Sequence, residues 1–207
     1  MSDLCLIDFG AGNIKSISNA LLSLGASPRR VTTGDDFPEG VRRVVVPGVG
    51  AFGSAMDNLR ERGLIEPLIE HINAGRPLLG ICVGFQILFD VGEELGQHQG
   101  LGIIPGRVRR FEKKGLVVPH MGWNTAAFQP SQHPMFTQYP SEEHFYFVHS
   151  YFPDNVPKDW IASTTTYGET FVSGVARDNV AGFQFHPEKS GPAGLGLLDQ
   201  WLTVSQT

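Results

Sequence analysis

The sequence predicts an α/β fold: a central, mostly parallel sheet with helices on both faces and antiparallel additions in its second half. Three observations carry that expectation. Short β-rich runs lead through glycine-containing loops into helically spaced apolar residues, and this unit occurs three times before residue 90. Strand-loop-helix units repeated in this way build parallel sheets covered on both faces. After about Gly100 the texture changes to short alternating segments separated by turn residues, the mark of antiparallel strands.

The elements follow in order. Residues 4–7 are an apolar run too short for a helix; after Gly10-Ala11-Gly12-Asn13 come Ile14, Ile17, Ala20, Leu21 and Leu24 at helical spacing, with Gly25 placed to end the helix. Residues 44–46 lead through Pro47-Gly48-Val49-Gly50 into a helix from about Ser54. Residues 77–81 lead through Cys82 into a helix over 83–89. Residues 107–111, 145–148, 171–176 and 180–185 read as the later strands, and Gly191–Val204 as a closing helix interrupted by Gly194 and Gly196. No repeat, low-complexity tract or linker divides the chain, so one domain over 1–207 is expected.

Composition narrows the function classes. At 207 residues, 41% apolar and 18% charged, the chain can bury a sizeable core and is not of the disordered type. Sixteen basic against 21 acidic side chains give a net charge of −5, the wrong sign for a general phosphate-backbone binder. Cys5 and Cys82 make neither a disulfide framework nor a Cys-x-x-Cys zinc spacing. No stretch reads as a secretion signal or as ~18 uninterrupted apolar residues, so a cytoplasmic protein is expected. The basic residues Arg107, Arg109, Arg110, Lys113 and Lys114 around Glu112 read as a solvated hairpin. His120, Trp123 and Asn124 fall in a loop without a partner at metal-ligand spacing.

Two glycine motifs compete for attention. Gly48-Val49-Gly50-Ala51-Phe52-Gly53 matches the dinucleotide pattern G-x-G-x-x-G, but it is not in the first unit, and Glu66 and Glu70, ~20 residues on, sit in a helical stretch rather than at a strand end. The turn 10–16 lacks the glycine before its lysine that a phosphate-cradling loop requires. Gly80-Ile81-Cys82-Val83-Gly84 is sharper: a nucleophile between two glycines at a strand-to-helix turn has the form of a nucleophile elbow. The unpaired N–H groups of the following helix would favour the Cys82 thiolate, and the Val83 N–H would face an oxyanion. Cys5, inside the first strand, reads as a small core residue. Near the C-terminus, His186 and Glu188 project together if their segment is extended, so the carboxylate can orient the imidazole. A nucleophile, a base and its orienter are thus all present.

These residues resemble the triad-type (class I) glutamine amidotransferases, in which a Gly-x-Cys-x-Gly elbow precedes a glutamine, here Gln86, and His-Pro-Glu lies near the C-terminus. Within that family, Gly10–Asn13, Pro47–Gly53, Pro119–Asn124, Phe145–Tyr151 and Phe185–Ser190 together are similar to the branch that serves a (β/α)-barrel cyclase in histidine biosynthesis. The resemblance implies a flavodoxin-like fold, Cys82 as nucleophile, His186 as acid and base, and Glu188 as its orienter. It places a second oxyanion donor at Val49 and Gly50 beside Val83, and glutamine against Gly48, Gln86, His149, Ser150 and Tyr151. It puts Asn13, Trp123 and Lys189 at the interface of a heterodimer with a separate cyclase subunit, to which ammonia passes for formation of imidazole glycerol phosphate and AICAR. It implies no metal and no cofactor. Phe9 and Phe85 depart from the tyrosine and methionine of the pattern, and a paralogue feeding another synthase is the alternative reading.

Overall fold

The computed structural model describes residues 3–204, apart from 11, 13, 113, 130–132 and 137–138; Asn13 and Lys113 therefore lie outside the described residues. The first half contains β1 (Leu4–Ile7), α1 (Ile14–Ser23), β2 (Arg29–Val31), β3 (Arg43–Gly48), α2 (Phe52–Glu61), α3 (Ile65–Asn73), β4 (Leu78–Cys82) and α4 (Val83–Gln86). The second half contains β5 (Phe89–Gly92), β6 (His98–Gln99), β7 (Ile104–Arg110), β8 (His120–Phe128), β9 (Glu142–His149), β10 (Tyr151–Asp154), β11 (Ile161–Tyr167), β12 (Glu169–Arg177), β13 (Val180–Phe183) and α5 (Gly191–Val204).

One nine-stranded sheet joins the two halves in the order β2-β1-β3-β4-β13-β12-β11-β8-β9. Its first five strands are parallel and its last four pairings antiparallel. Every residue of β1, β3, β4 and β13 is buried, as expected of parallel strands covered on both faces. The parallel order 2-1-3-4 followed by the returning β13 is that of flavodoxin-like sheets, in which ligands sit in the crevice at the carboxyl ends of the strands. A second sheet, β10-β7-β5-β6, packs beside this crevice.

Local rules explain the helix ends. Gly25, at φ +80°, takes the left-handed position after α1, and Ala26 N–H returns to Leu21 O. The helix expected from Ser54 starts at Phe52, whose N–H donates to the Glu94 carboxylate at 2.9 Å, and the helical stretch divides at Gly63 into α2 and α3. Inside α5, a Cβ on Gly194 would lie 1.8 Å from the Pro187 carbonyl oxygen, so this glycine lets the closing helix seat directly on the turn that carries Glu188.

Four expectations are corrected. The helix predicted over 83–89 stops at Gln86, because Leu88 O accepts from Ile103 and Ile104 N–H and Phe89 pairs with Ile104 in the second sheet. The last strand ends at Phe183 rather than 185: Gln184 N–H bonds Ser173 O, and His186 N–H turns to Tyr146 O on β9. The basic cluster is not a hairpin, since β7 pairs with β5 and β10; Arg109 bonds Asp154 and Glu169 and lies 4.4 Å from the Phe152 ring centroid. His120, Trp123 and Asn124 belong to β8, paired along its length with β9.

Candidate active site

The site forms where three glycine segments meet at the carboxyl ends of β1, β3 and β4. Cys82 stands at φ +55°, ψ −110°, a conformation that side-chain-bearing residues rarely adopt and that costs ~1–3 kcal/mol unless its surroundings impose it. They do so through backbone proximity. A Cβ on Gly84 would lie 1.8 Å from Val46 O, and one on Gly80 would lie 2.6 Å from Gly84 O. One on Gly48 would meet Phe9 Cζ at 2.9 Å and Gly84 N at 3.2 Å, and one on Gly12 would reach Gly48 Cα at 3.4 Å. The first glycine turn is thus a packing partner of loop 48–50, which in turn packs on the elbow. Phe9 therefore fills space behind the loop. Because α4 is only one turn long, few peptide dipoles align behind Cys82; what favours an anion there is the set of free first-turn N–H groups, Val83 foremost.

His186 approaches from the other side of the crevice. Its Nδ1 bonds Glu188 Oε1 at 2.8 Å, with both side chains buried. The pair meets through a short 3-10 turn over Pro187–Lys189, not through strand alternation as the sequence reading assumed. Ser190 Oγ donates to His186 O at 2.6 Å and accepts Tyr146 N–H at 3.0 Å, fixing the turn against β9. Burial works against a charged ring, yet the Cys82 sulfur and the Glu188 carboxylate outweigh it and push the His186 pKa up to about 10. The ring is therefore held as imidazolium at neutral pH, facing the cysteine. Cys5, by contrast, is fully buried, and burial pushes its thiol up to about 11.

A cavity of about 460 Å³ opens in front of Cys82. Val49, Gly50, Val83, Gln86, His149, Ser150 and Tyr151 line it, so the structure gathers these sequence-predicted residues around Cys82, with Gly48 directly behind at the end of β3. Two lining or supporting groups were not read from the sequence. Glu94 is the cavity's one carboxylate and also holds the start of α2. Buried Gln184 accepts from Gln86 Nε2 at 3.0 Å and places its own Nε2 4.0 Å from Cys82 Sγ. A polar residue between Phe183 and Phe185 was the available signal for Gln184; Glu94, in a loop after β5, had none. A cavity of about 360 Å³ beside Asn179, Val180 and Trp201 offers no cysteine, serine or threonine.

Residues 5–203 match the family model for the class-I glutamine amidotransferases. The chain belongs to that family. An imidazole glycerol phosphate synthase subunit HisH from Desulfitobacterium hafniense is 47% identical over 205 residues, covering 98% of this chain and 96% of that protein. One from Salinibacter ruber is 46% identical, with 98% and 94% covered. The chloroplastic imidazole glycerol phosphate synthase hisHF of Arabidopsis thaliana is 48% identical over 204 residues, 97% of this chain but 34% of that longer protein. Among solved structures, PurLQS from Thermotoga maritima superposes with a TM-score of 0.78 over 99% of both chains at 18% identity, which shows a shared fold.

The catalytic and substrate candidates with described positions gather at the elbow, the His186 turn and the cavity. The interface candidates lie elsewhere. Trp123 is 59% exposed on β8; its ring meets Tyr146 edge-on at 6.3 Å, and Lys189 Nζ lies 5.9 Å from the same tyrosine ring. The structure thus brings Trp123 and Lys189 together on one face. Among the described residues, no group of three His, Cys, Asp or Glu is placed to hold a metal ion, and no helix is long and apolar enough to cross a membrane.

Proposed function

We propose that this amidotransferase hydrolyses glutamine to glutamate and ammonia as the glutaminase subunit of imidazole glycerol phosphate synthase, and that the ammonia passes within a heterodimer to the cyclase subunit in the cytoplasm. The observation that carries the chemistry is the buried Glu188–His186 pair facing Cys82, which opens onto a cavity large enough to admit glutamine. The names carried by the HisH relatives, near 47% identity over almost the whole chain, support the choice of synthase.

The steps follow from the groups present. Cys82 Sγ attacks the carboxamide carbon, and the amide oxygen gathers negative charge toward the Val83 N–H and an N–H of loop 49–50. His186, resting as imidazolium, donates its Nε2 proton to the departing nitrogen; ammonia leaves and a thioester remains. The ring, now neutral, takes a proton from water as its oxygen attacks the thioester carbon; the C–S bond breaks, glutamate leaves, its carboxyl proton passing to solvent, and Cys82 departs as thiolate beside the restored imidazolium. Glu188 keeps the ring in one orientation throughout. The acceptor's chemistry needs a second body, and the Arabidopsis synthase, of which this chain spans 34%, supports that reading. The exposed face of Trp123, Tyr146 and Lys189 is its proposed contact.

Glutamine turnover with and without the cyclase subunit and its ligand tests the proposal. Slow turnover alone, a rise on assembly, and loss of both in Cys82→Ala are expected. Turnover that survives the substitution would defeat the mechanism.

A further inference from the structure

Two buried histidines that the chemistry above does not use connect the β8–β9 ladder to the glutamine cavity. His120 and His149 are direct partners across that ladder and are 3% and 6% exposed. His120 Nδ1 lies 2.9 Å from His149 Nε2, and His149 Nδ1 lies 2.8 Å from Tyr151 O. On the outer side, Asn124 Nδ2 is 3.2 Å from His120 Nε2 and 3.0 Å from Thr166 O, while its Oδ1 accepts Thr125 N–H. On the inner side, Gln86 Nε2 donates to Tyr151 O at 2.9 Å and to Gln184 Oε1 at 3.0 Å.

Donor and acceptor rules give this chain one direction. Tyr151 O is an acceptor only, so His149 carries its proton on Nδ1 and offers Nε2 as an acceptor. His120 must then donate from Nδ1, which leaves its Nε2 to accept from Asn124. The Asn124 amide cannot be reversed, because Thr166 O and Thr125 N–H fix both ends. Both rings are consequently neutral, and a second proton on either would face another N–H. Burial supports this by holding the pKa of His120 at about 4 and that of His149 at about 3. His120 is also sandwiched between Tyr167 and Phe147, with ring centroids at 4.0 and 4.8 Å.

We propose that His120 is a positioning residue for the glutamine site, acting through His149 to hold the Tyr151 carbonyl and, with it, the orientation of the Gln86 carboxamide. The inference rests on the reading of Cys82 and its cavity as a glutaminase site. Tyr151 O receives two donors, His149 and Gln86, and both hydrogens of Gln86 Nε2 are committed. Gln86 therefore offers its carbonyl oxygen, an acceptor, to a bound substrate. If His149 lost its partner it could move its proton to Nε2; its bare Nδ1 would repel Tyr151 O and free the carbonyl to turn. The same strand, β8, carries Trp123 on its opposite face, so a shift of that strand would reach the cavity along this chain.

Steady-state kinetics on the assembled enzyme, with melting curves and the rate of Cys82 alkylation by iodoacetamide, test the assignment. His120→Phe keeps a ring between Tyr167 and Phe147 but removes the donor. The glutamine KM should rise about tenfold, the loss expected for one hydrogen bond, with kcat within about threefold and alkylation, which needs no pocket, unchanged. In His120→Asn, Nδ2 stands in for the ring Nδ1 and should return most of the KM. Asn124→Ala, at the outer end, should raise KM by about two- to threefold, and it decides the matter if His120→Phe fails to fold. Unchanged KM in a folded His120→Phe, or a rise in KM accompanied by equal losses of kcat and melting temperature without rescue by asparagine, would overturn the positioning role. Wild-type turnover independent of Cys82 would instead overturn the glutaminase reading beneath it.

Discussion

The two walls of the catalytic crevice are built on different physical terms. The nucleophile wall is steric and local: Gly80, Gly84 and Gly48 let backbone approach backbone, and the strain at Cys82 is imposed by atoms within a few residues or one strand away. The base-and-pocket wall is polar and assembled from afar. His186 is tied to β9 through Tyr146 and Ser190, and the pocket side chains to one another by buried hydrogen bonds spanning β8 to β13. The first wall should therefore fail by distortion of the fold, and the second by loss of proton control or substrate alignment in a fold that persists.

The largest effect expected on the first wall is chemical: Cys82→Ala should cost about 10⁴-fold or more in glutamine turnover while leaving the melting temperature equal or higher, because the replacement only removes a sulfur. Next comes Gly84→Ala. Its new methyl would sit 1.8 Å from Val46 O, a backbone atom of a central strand that cannot swing aside. Urea denaturation should show a loss of roughly 3 kcal/mol, with turnover falling because the elbow shifts. A Gly84→Ala protein of normal stability would mean that the elbow is not held by close approach, and the steric account of this wall would fall.

The second wall is probed by Glu188→Gln. The amide keeps the volume but removes the charge that favours imidazolium, and turnover should drop about 10²-fold with little change in melting temperature. The contrast between the walls also explains what was legible beforehand. Glycines flanking a cysteine, and a His-x-Glu pair, are local patterns whose physics is visible in five residues. That Glu94 and His120 join the same site depends on where β5 and β8 land, and nothing adjacent to them in the chain encodes it; Gln184 left one trace, a polar residue between two phenylalanines. In the parallel half β1, β3 and β4 were readable for a similar reason, being apolar runs, whereas the edge strand β2, Arg29-Arg30-Val31, was not. The helix predicted over 83–89 failed at Phe89, where pairing with Ile104 overrode a helical apolar pattern.

The smallest expected effect, a change in the pH dependence of stability, separates two sets of histidines within the second wall. His186 has its pKa raised from an ordinary 6.5 to about 10, so the stabilisation from its imidazolium is complete below about 6.5 and disappears as pH rises through 10. His120 and His149 are depressed to about 4 and about 3; their contribution is complete above 6.5 and is lost as pH falls toward those values, because protonation must break the chain through Tyr151. Urea midpoints measured from pH 4 to pH 10 should thus fall at both ends. Carboxylates add to the acid limb in every variant, so the informative quantity is the difference between proteins. His120→Phe should flatten the limb between pH 6.5 and 4 and leave the alkaline one; Glu188→Gln should do the reverse. If His120→Phe keeps the wild-type acid slope, the buried pair is not held neutral by the fold, and the directional chain from Asn124 to the cavity loses its physical basis.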